Sequence, residues 1–328
     1  MTYATTSLRC AAAILLCASA PAAEAARACI SNSAQLALVL AAAQGNGEDD
    51  RIYLETGNYL LGGELQYVAP ASETYNLTIS GGYAAGSDCF VRSTAASSVL
   101  DGQSSVRPLY ISAHGRVNIS NLTFQNGKPT QSAGGALSLS GPFLDVESNV
   151  FVNNGSSPGN SVGAVYMASQ VIVLTSNVFL ANSGTAAGAV YLVNDWLADV
   201  NNNTFIANTL IGGGLGALYV TGSGHYNLSN NILWNNDGAD VYDQSGAVDY
   251  WHNDIGVKGG LAPLSETGDF SVAPQFEGFL SLRPAPASLL VNGGIDSPLG
   301  GIGATDAGGG TRRIGQHVDI GAYESDVL

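Results

Sequence analysis

Basic residues are the scarcest feature of this sequence. Of 328 residues only 11 are Lys or Arg, against 26 Asp or Glu, and the formal net charge is −15. No Lys or Arg occurs between Lys128 and Lys258. Nucleic acid and anionic membrane surfaces both require a basic footprint, so neither is an expected partner. Lyases acting on uronates need a base, commonly Arg or Lys, and cationic help at the substrate carboxylate, which argues against a pectate-lyase mechanism in that stretch. Charged residues make up only 11% of the chain, while 42 residues are glycine. That balance points away from helical bundles and towards a turn-rich β architecture, and 45% hydrophobic residues are ample for a large core.

Cysteine and long apolar runs are scarce as well. The one apolar run, "CAAAILLCASAPAAEAA", follows Arg9 and ends in small residues, with Ala23-Glu24-Ala25 fitting an A-x-A cleavage site. Residues 1–25 are therefore predicted to be a Sec signal peptide, too short to span a bilayer as a mature helix. Export to the periplasm, cell surface or medium is the expected localisation, with no transmembrane segment in the mature chain. Cys10 and Cys17 leave with that peptide, so Cys29 and Cys89 are expected to form one disulfide in an oxidising compartment. The rival reading, a free or metal-binding pair, has no partner His or third Cys nearby.

What the sequence does have is repetition. Asn121, Asn149, Asn177, Asn203 and Asn231 follow one another at 28, 28, 26 and 28 residues. Phe151, Phe179, Phe205 and Leu233 come two places after the last four; the first copy has Phe124, one place later. A second marker, Gly135, Gly163, Gly188 and Gly216, is followed each time by Ala. A period in the twenties denotes a solenoid whose units are stable only when stacked. Within each unit Leu144, Ile172, Ala198 and Tyr226 share a phase with Val146, Leu174, Val200 and Leu228. Between them fall Asp145, Val173, Asp199 and Asn227, then Glu147, Thr175, Asn201 and Ser229. That alternation is one strand per coil with its apolar side inward. The expected fold is all-β, a right-handed parallel β-helix, with repeats clearest over 109–243 and nine or ten coils in the mature chain. Ahead of it, "SNSAQLALVLAAAQGNG" reads as a capping helix, with Asn32 and Gln35 as its capping pair and Leu36, Val39, Leu40 and Ala43 on one face. The helix and β-helix together cover 26–258, and the Pro- and Gly-rich 259–328 are expected to be terminal coils and an irregular cap of the same domain.

The units "GGALSLSG", "GAVYMAS", "GAVYLVN" and "GALYVTG", with "FVNN", "FLAN" and "FIAN", resemble the repeats of polymorphic outer-membrane proteins. The tail pieces "APQFEGFLSLRPAPASLLVNGG" and "GATDAGGGTRRIGQHVDIGAYE" resemble the end of bacterial choice-of-anchor Q domain proteins. The resemblance covers nearly all of the mature chain and implies a pectin-lyase-like β-helix and export, with no assigned activity. The text ends at "YESDVL" without a sorting tail or terminal β-barrel, so any anchor is expected to be a partner.

Candidate chemistry is sparse. Asp145 and Asp199 share a column two coils apart, roughly 9–10 Å by the strand spacing, with Glu147 beside Asp145; they are the acid–base candidates for a glycan hydrolase. Asp237, Asp240 and Asp243 lie close together in "NNDGADVYDQSG" and leave room for Ca²⁺, the one cofactor considered. A turn that uses Asn, Asp and Gly for backbone geometry is the preferred reading of them. The Asn column reads as a structural ladder and the Phe column as core. Tyr110, Tyr166, Tyr191, Tyr219 and Tyr242, with Ser138 in the second copy, form a further column whose neighbours are apolar. If those neighbours point inward, a phenol stripe lines the outer wall and suits sugar stacking or protein contact; otherwise the rings stack on one another as a ladder. The expected function is a monomeric, exported, cell-surface scaffold that binds carbohydrate or a partner and is not an enzyme. The alternative is a hydrolase acting on a neutral polysaccharide.

Overall fold

The computed structural model describes residues 26–93, 97–130, 133–155, 161–278 and 281–326; the signal-peptide reading of 1–25 lies outside them. The chain is a parallel β-solenoid of about eight turns with three walls, and one helix near its N-terminus. The first wall runs from Leu65–Val68 through Leu109–Ser112 and later coils to Lys258–Gly260. The second starts at Ala26–Ile30 and Asp50–Glu55, passes through Arg116–Ser120 and ends at Ser265–Thr267. The third stacks eight strands from Gly57–Leu60 to Asp254–Ile255. In three middle coils the first two walls join in single bent strands, Leu137–Glu147, Val165–Thr175 and Ala187–Asn201.

The two period-two columns read from the sequence hold their register. Leu144, Ile172, Ala198 and Tyr226 pair in succession, as do Val146, Leu174, Val200 and Leu228, and all eight are fully buried. Phe124, Phe151, Phe179 and Phe205 stack in the core with ring centroids 4.5–5.0 Å apart and planes within 16° of parallel.

From Ser148 onward the coils turn into and out of the third wall by one device used twice. A residue in the left-handed region is followed by an Asn whose side chain bonds to the next coil. At the first bend Ser148, Ser176, Asn202, Asn230 and His252 have φ between 54° and 57°. The Asn after each, from Asn149 to Asn253, accepts two bonds at its Oδ1 in most rungs. Asn203 Oδ1, for instance, takes Asn177 N at 2.9 Å and Nδ2 at 3.0 Å. At the second bend Asn153, Ala181, Ala207 and Asn235 are left-handed, and Asn154, Asn182, Asn208 and Asn236 form a parallel ladder. Asn121 does not belong to the first ladder. The register pairs Val150 with Thr123, which sets Asn149 opposite Leu122 and Asn121 opposite Ser148, so Asn121 is itself the left-handed residue at φ 57°. Phe124, one place late relative to Asn121, was the true phase marker.

The Gly-Ala column has a steric origin. A Cβ on Gly163 would lie 1.8 Å from the Gly188 carbonyl oxygen of the next coil, so only glycine admits that approach.

Both ends are closed by exchanges of residue type. The helix Ser33–Ala43 packs Leu36, Leu40 and Ala43 against the first coils, with Asn32 Oδ1 capping Gln35 N at 3.0 Å. At the other end Lys258 stands in the register position of Val241, and Glu266 in that of Tyr250. The Lys258 ammonium lies 4.7 Å from the Tyr250 ring centroid and 2.7 Å from both Glu266 and Asp269. Asp269 also ends the first ladder, accepting Asn253 N and Nδ2. A charge at an edge position blocks further strand addition. A disulfide joins Cys29 to Cys89 across 60 residues, worth about 2–4 kcal/mol.

The stack has about eight turns rather than nine or ten because the chain leaves it after Thr267 and its end lies along the outside.

Truncating one central rung removes three donations and orphans buried partners on two coils, so Asn203→Ala should lower the urea-unfolding free energy by about 2–4 kcal/mol. Phe179→Ala should cost about 3–5 kcal/mol in the same assay. Burial, with the charges of Asp240 and Asp269, pushes the Asp254 carboxyl up to about 6, and burial with Asp319 raises Glu324 to about 7. Their folded values lie above the unfolded ones of about 4, so their contribution is fully present below about pH 4. It is lost as the pH rises through 6 and 7. The urea midpoint should therefore fall between pH 5 and pH 8, and Asp254→Asn, which keeps the acceptor for Val272 N, should recover on the order of 2 kcal/mol at pH 8.

Candidate functional site

The last forty residues build the most featured surface. Arg312, 2% exposed, donates to the carbonyls of Ala322 at 2.9 Å, Gly321 at 2.8 Å and Asp319 at 3.1 Å, with Glu324 at 3.7 Å. Asp306 accepts Gly308 N and Gly310 N at one oxygen and Glu324 N at the other. Charged hydrogen bonds of this kind fix a segment that has almost no regular secondary structure.

This tail climbs the junction of the second and third walls, coil by coil, towards the N-terminus. Gly293 O meets His252 Nδ1 at 2.9 Å, and Ile295 exchanges two bonds with Asn230. Asn201 Nδ2 donates to Leu299 O and Gly301 O, and Asn202 Nδ2 to Asp319 O. Apolar patches seal the seam: Ala307 and Ala322 against Val178, and Leu290 and Ile320 against Ile232. Left-handed bend residues thus also serve as docking points.

The seam decides the fate of the outward carboxylates. Asn118, Asp145, Val173, Asp199, Asn227, Asp249 and Ser265 follow one another in register on the second wall. Asp145 is partly exposed and paired with Arg116 at 2.8 Å, whose guanidinium covers the Phe143 ring. Asp199 is 5% exposed and accepts Asn227 Nδ2 at 2.9 Å, with Gly300 packed so close that a Cβ there would lie 2.4 Å from the Asp199 Cβ. Burial pushes the Asp199 carboxyl up, opposed by Asn227 and His225. The tail leaves two clefts, one on either side of that seal, and Asp145 and Asp199 line neither.

The first cleft, about 430 Å³, is lined by Arg92, Ser120, Asn121, Glu147, Ser148 and Thr305. Burial and the neighbouring Asp145 raise the Glu147 carboxyl, and Arg92 opposes them. The second, about 310 Å³, lies between His225, Asn227, Asp249 and Trp251 on the wall and Ile295, Pro298 and Leu299 of the tail. Asp249 sits 2.9 Å from His225 Nε2 and 2.5 Å from Ser265 Oγ, which fixes the imidazole beside the half-buried indole. An apolar ring edge beside a row of fixed donors and acceptors matches the make-up of small-ligand pockets.

The tyrosine column holds its register and turns outward, since its neighbours Leu109, Ile111, Val165, Met167, Val190 and Leu192 are buried. It is nevertheless no open stripe. Tyr166–Tyr191 and Tyr191–Tyr219 meet edge to face at 5.7 and 4.5 Å, Tyr219 and Tyr242 lie 5.8 Å apart with planes tilted by 32°, and Val162 and Ala187 pack against them. Tyr219 is 7% exposed, and Tyr110 stands apart near Arg107.

The three aspartates of the "NNDGADVYDQSG" loop are separated in role. Asp237 is exposed and accepts Leu210 N, and Asp240 ends the second Asn ladder with both oxygens bonded. Asp243 binds Ser245 and Gly246 in its own turn. They do not gather their oxygens around a common point. Among the described residues, Cys29, Glu55 and Cys89 alone form a trio of thiol, imidazole or carboxylate groups close enough to share an ion, and both thiols are in the disulfide.

Sequence reasoning missed His225, Asp249 and Trp251. The column of Asp249 was legible, since it continues the Asp199–Asn227 phase after a shortened 22-residue coil; the tail that makes a cleft there was not. No protein-family model, curated protein or solved structure matches the chain.

Gly300 holds φ 78° and has no room for a Cβ beside Asp199. Gly300→Ala should loosen the tail, seen as several-fold faster cleavage near Leu299 by limited proteolysis with the β-sheet circular dichroism unchanged.

Proposed function

We propose that this protein is an exported, non-catalytic scaffold that binds a neutral carbohydrate in the cleft between the second wall and the tail. The observation that carries this reading is the Trp251 indole beside the fixed His225–Asp249 pair and Asn227, closed on one side by Pro298 and Leu299. A sugar presents an apolar ring face to an aromatic surface and hydroxyls to planar polar groups, and this cleft offers both. The scarcity of basic residues along the repeats fits an uncharged glycan better than a uronate or a phosphate. The non-catalytic part of the reading is supported by Asp199 lying sealed beneath Gly300 and Asp145 being held by Arg116.

The export signal read from the sequence of residues 1–25, and the likeness of the repeats to those of polymorphic outer-membrane proteins and choice-of-anchor Q domain proteins, support a cell-surface setting. A polysaccharide hydrolase is the second reading. It rests on Glu147, a carboxyl raised by burial and by Asp145, opening on a cleft beside Arg92.

A glycan array combined with a reducing-end release assay tests both. Binding without release is expected, with Trp251→Ala lowering affinity at least tenfold and Tyr191→Ala leaving it within twofold. Release that disappears in Glu147→Gln would replace this reading with the hydrolase, and binding unchanged in Trp251→Ala would remove the cleft from it.

A further inference from the structure

The loop between the capping helix and the second wall, "GNGEDD" at 45–50, brings an unusual charge into the first coils. Asp50 pairs in register with Leu77, whose successor in the column is Val117, so its carboxylate occupies a position that is apolar in later coils. Asp50 is 4% exposed and Glu73, from the corner between the first two walls, is 3% exposed. The loop engages one oxygen of each: Asn46 Nδ2 donates to Asp50 Oδ1 at 2.8 Å, and Gly47 N to Glu73 Oε2 at 3.0 Å. The other two oxygens, Asp50 Oδ2 and Glu73 Oε1, are buried and meet no donor. No salt bridge reaches either carboxylate among the described residues, while Glu48 and Asp49 add further negative charge.

Buried carboxylates persist in folded proteins when they are paired, protonated or bound to a metal. Here the pairing is missing and the free oxygens come from two segments tied together by one loop. We propose that Asp50 and Glu73, with the Asn46–Asp49 loop, bind a hard divalent cation of the Ca²⁺ class. Carboxylate and amide oxygens on a flexible glycine-containing loop are the donors that Ca²⁺ takes, and Mg²⁺ demands a stiffer octahedral set. The ion would neutralise both buried charges and lock the helix Ser33–Ala43 onto the solenoid. The site is distinct from the Asp237–Asp243 loop, where Asp240 has both oxygens bonded and Asp243 closes its own turn with Ser245 and Gly246, leaving one oxygen without a donor.

Tb³⁺ luminescence excited through tyrosine tests this in the full chain, because Tyr67 lies close enough to sense both carboxylates. Tb³⁺ emission should appear with one site, be displaced by Ca²⁺ and far less by Mg²⁺, and Ca²⁺ at 1 mM should raise the Tm by several degrees at pH 7.5. Asp50→Asn and Glu73→Gln should each weaken Ca²⁺ binding at least tenfold while keeping the β-sheet circular dichroism; Asp237→Asn should leave binding unchanged. If one of the first pair fails to fold, the other still decides. The proposal is overturned if the wild-type Tm ignores Ca²⁺ while Asp50→Asn raises it, which would mean that the pair holds a proton instead. Binding that survives both substitutions would overturn it equally.

Discussion

The bend made of a left-handed residue followed by a buried asparagine is the constraint on which this molecule depends. A parallel strand can be stacked coil upon coil only if the polar backbone at every corner finds a partner inside the protein. Each asparagine supplies both kinds of group: its Oδ1 accepts from the rung before, and its Nδ2 donates to a carbonyl of the preceding coil, as Asn203 does to Leu174 O. Because each rung bonds to the equivalent side chain of the next coil, a slip of one residue would break a whole ladder. The ladders thereby set the register in which the phenylalanines stack and the tyrosines meet edge to face.

The same constraint explains how the stack ends. A ladder of donors and acceptors must finish on a group that only accepts, and both do. Asp269 closes the first and Asp240 the second, with the spare oxygen of each satisfied by Lys258 or by Val257 N. Lys258 and Glu266 replace core residues in the final coil, so the basic residue that closes the long stretch without Lys or Arg serves to terminate the fold. The tail uses the outward side chains of the first-bend column as docking points.

Acidic residues outnumber basic ones by more than two to one, yet few are free for chemistry. Asp240, Asp269 and Asp306 are spent on backbone and side-chain donors, Asp145 on Arg116, and Asp199 is closed over by Gly300. Among those left facing a space or lacking a donor, Glu147 and Asp249 open on clefts, and Asp50 and Glu73 share one loop, which is where function can be sought.

The sequence by itself determined the period, the phase of the inward and outward columns, the capping helix and the phenylalanine stack. Each follows from local alternation and from a repeat that must match itself. It also held the second ladder, in the last letter of "FVNN", "FLAN" and "FIAN". It misled at Asn121, where an asparagine suited to a left-handed bend stood one place ahead of the ladder position. Only the tertiary structure decided the number of turns, the sealing of Asp199, the separation of the Asp237–Asp243 loop and the cleft at Trp251. All of these depend on contacts between segments far apart in the chain, such as Asn201 with Leu299 and Gly301, for which an aperiodic tail carries no local signal.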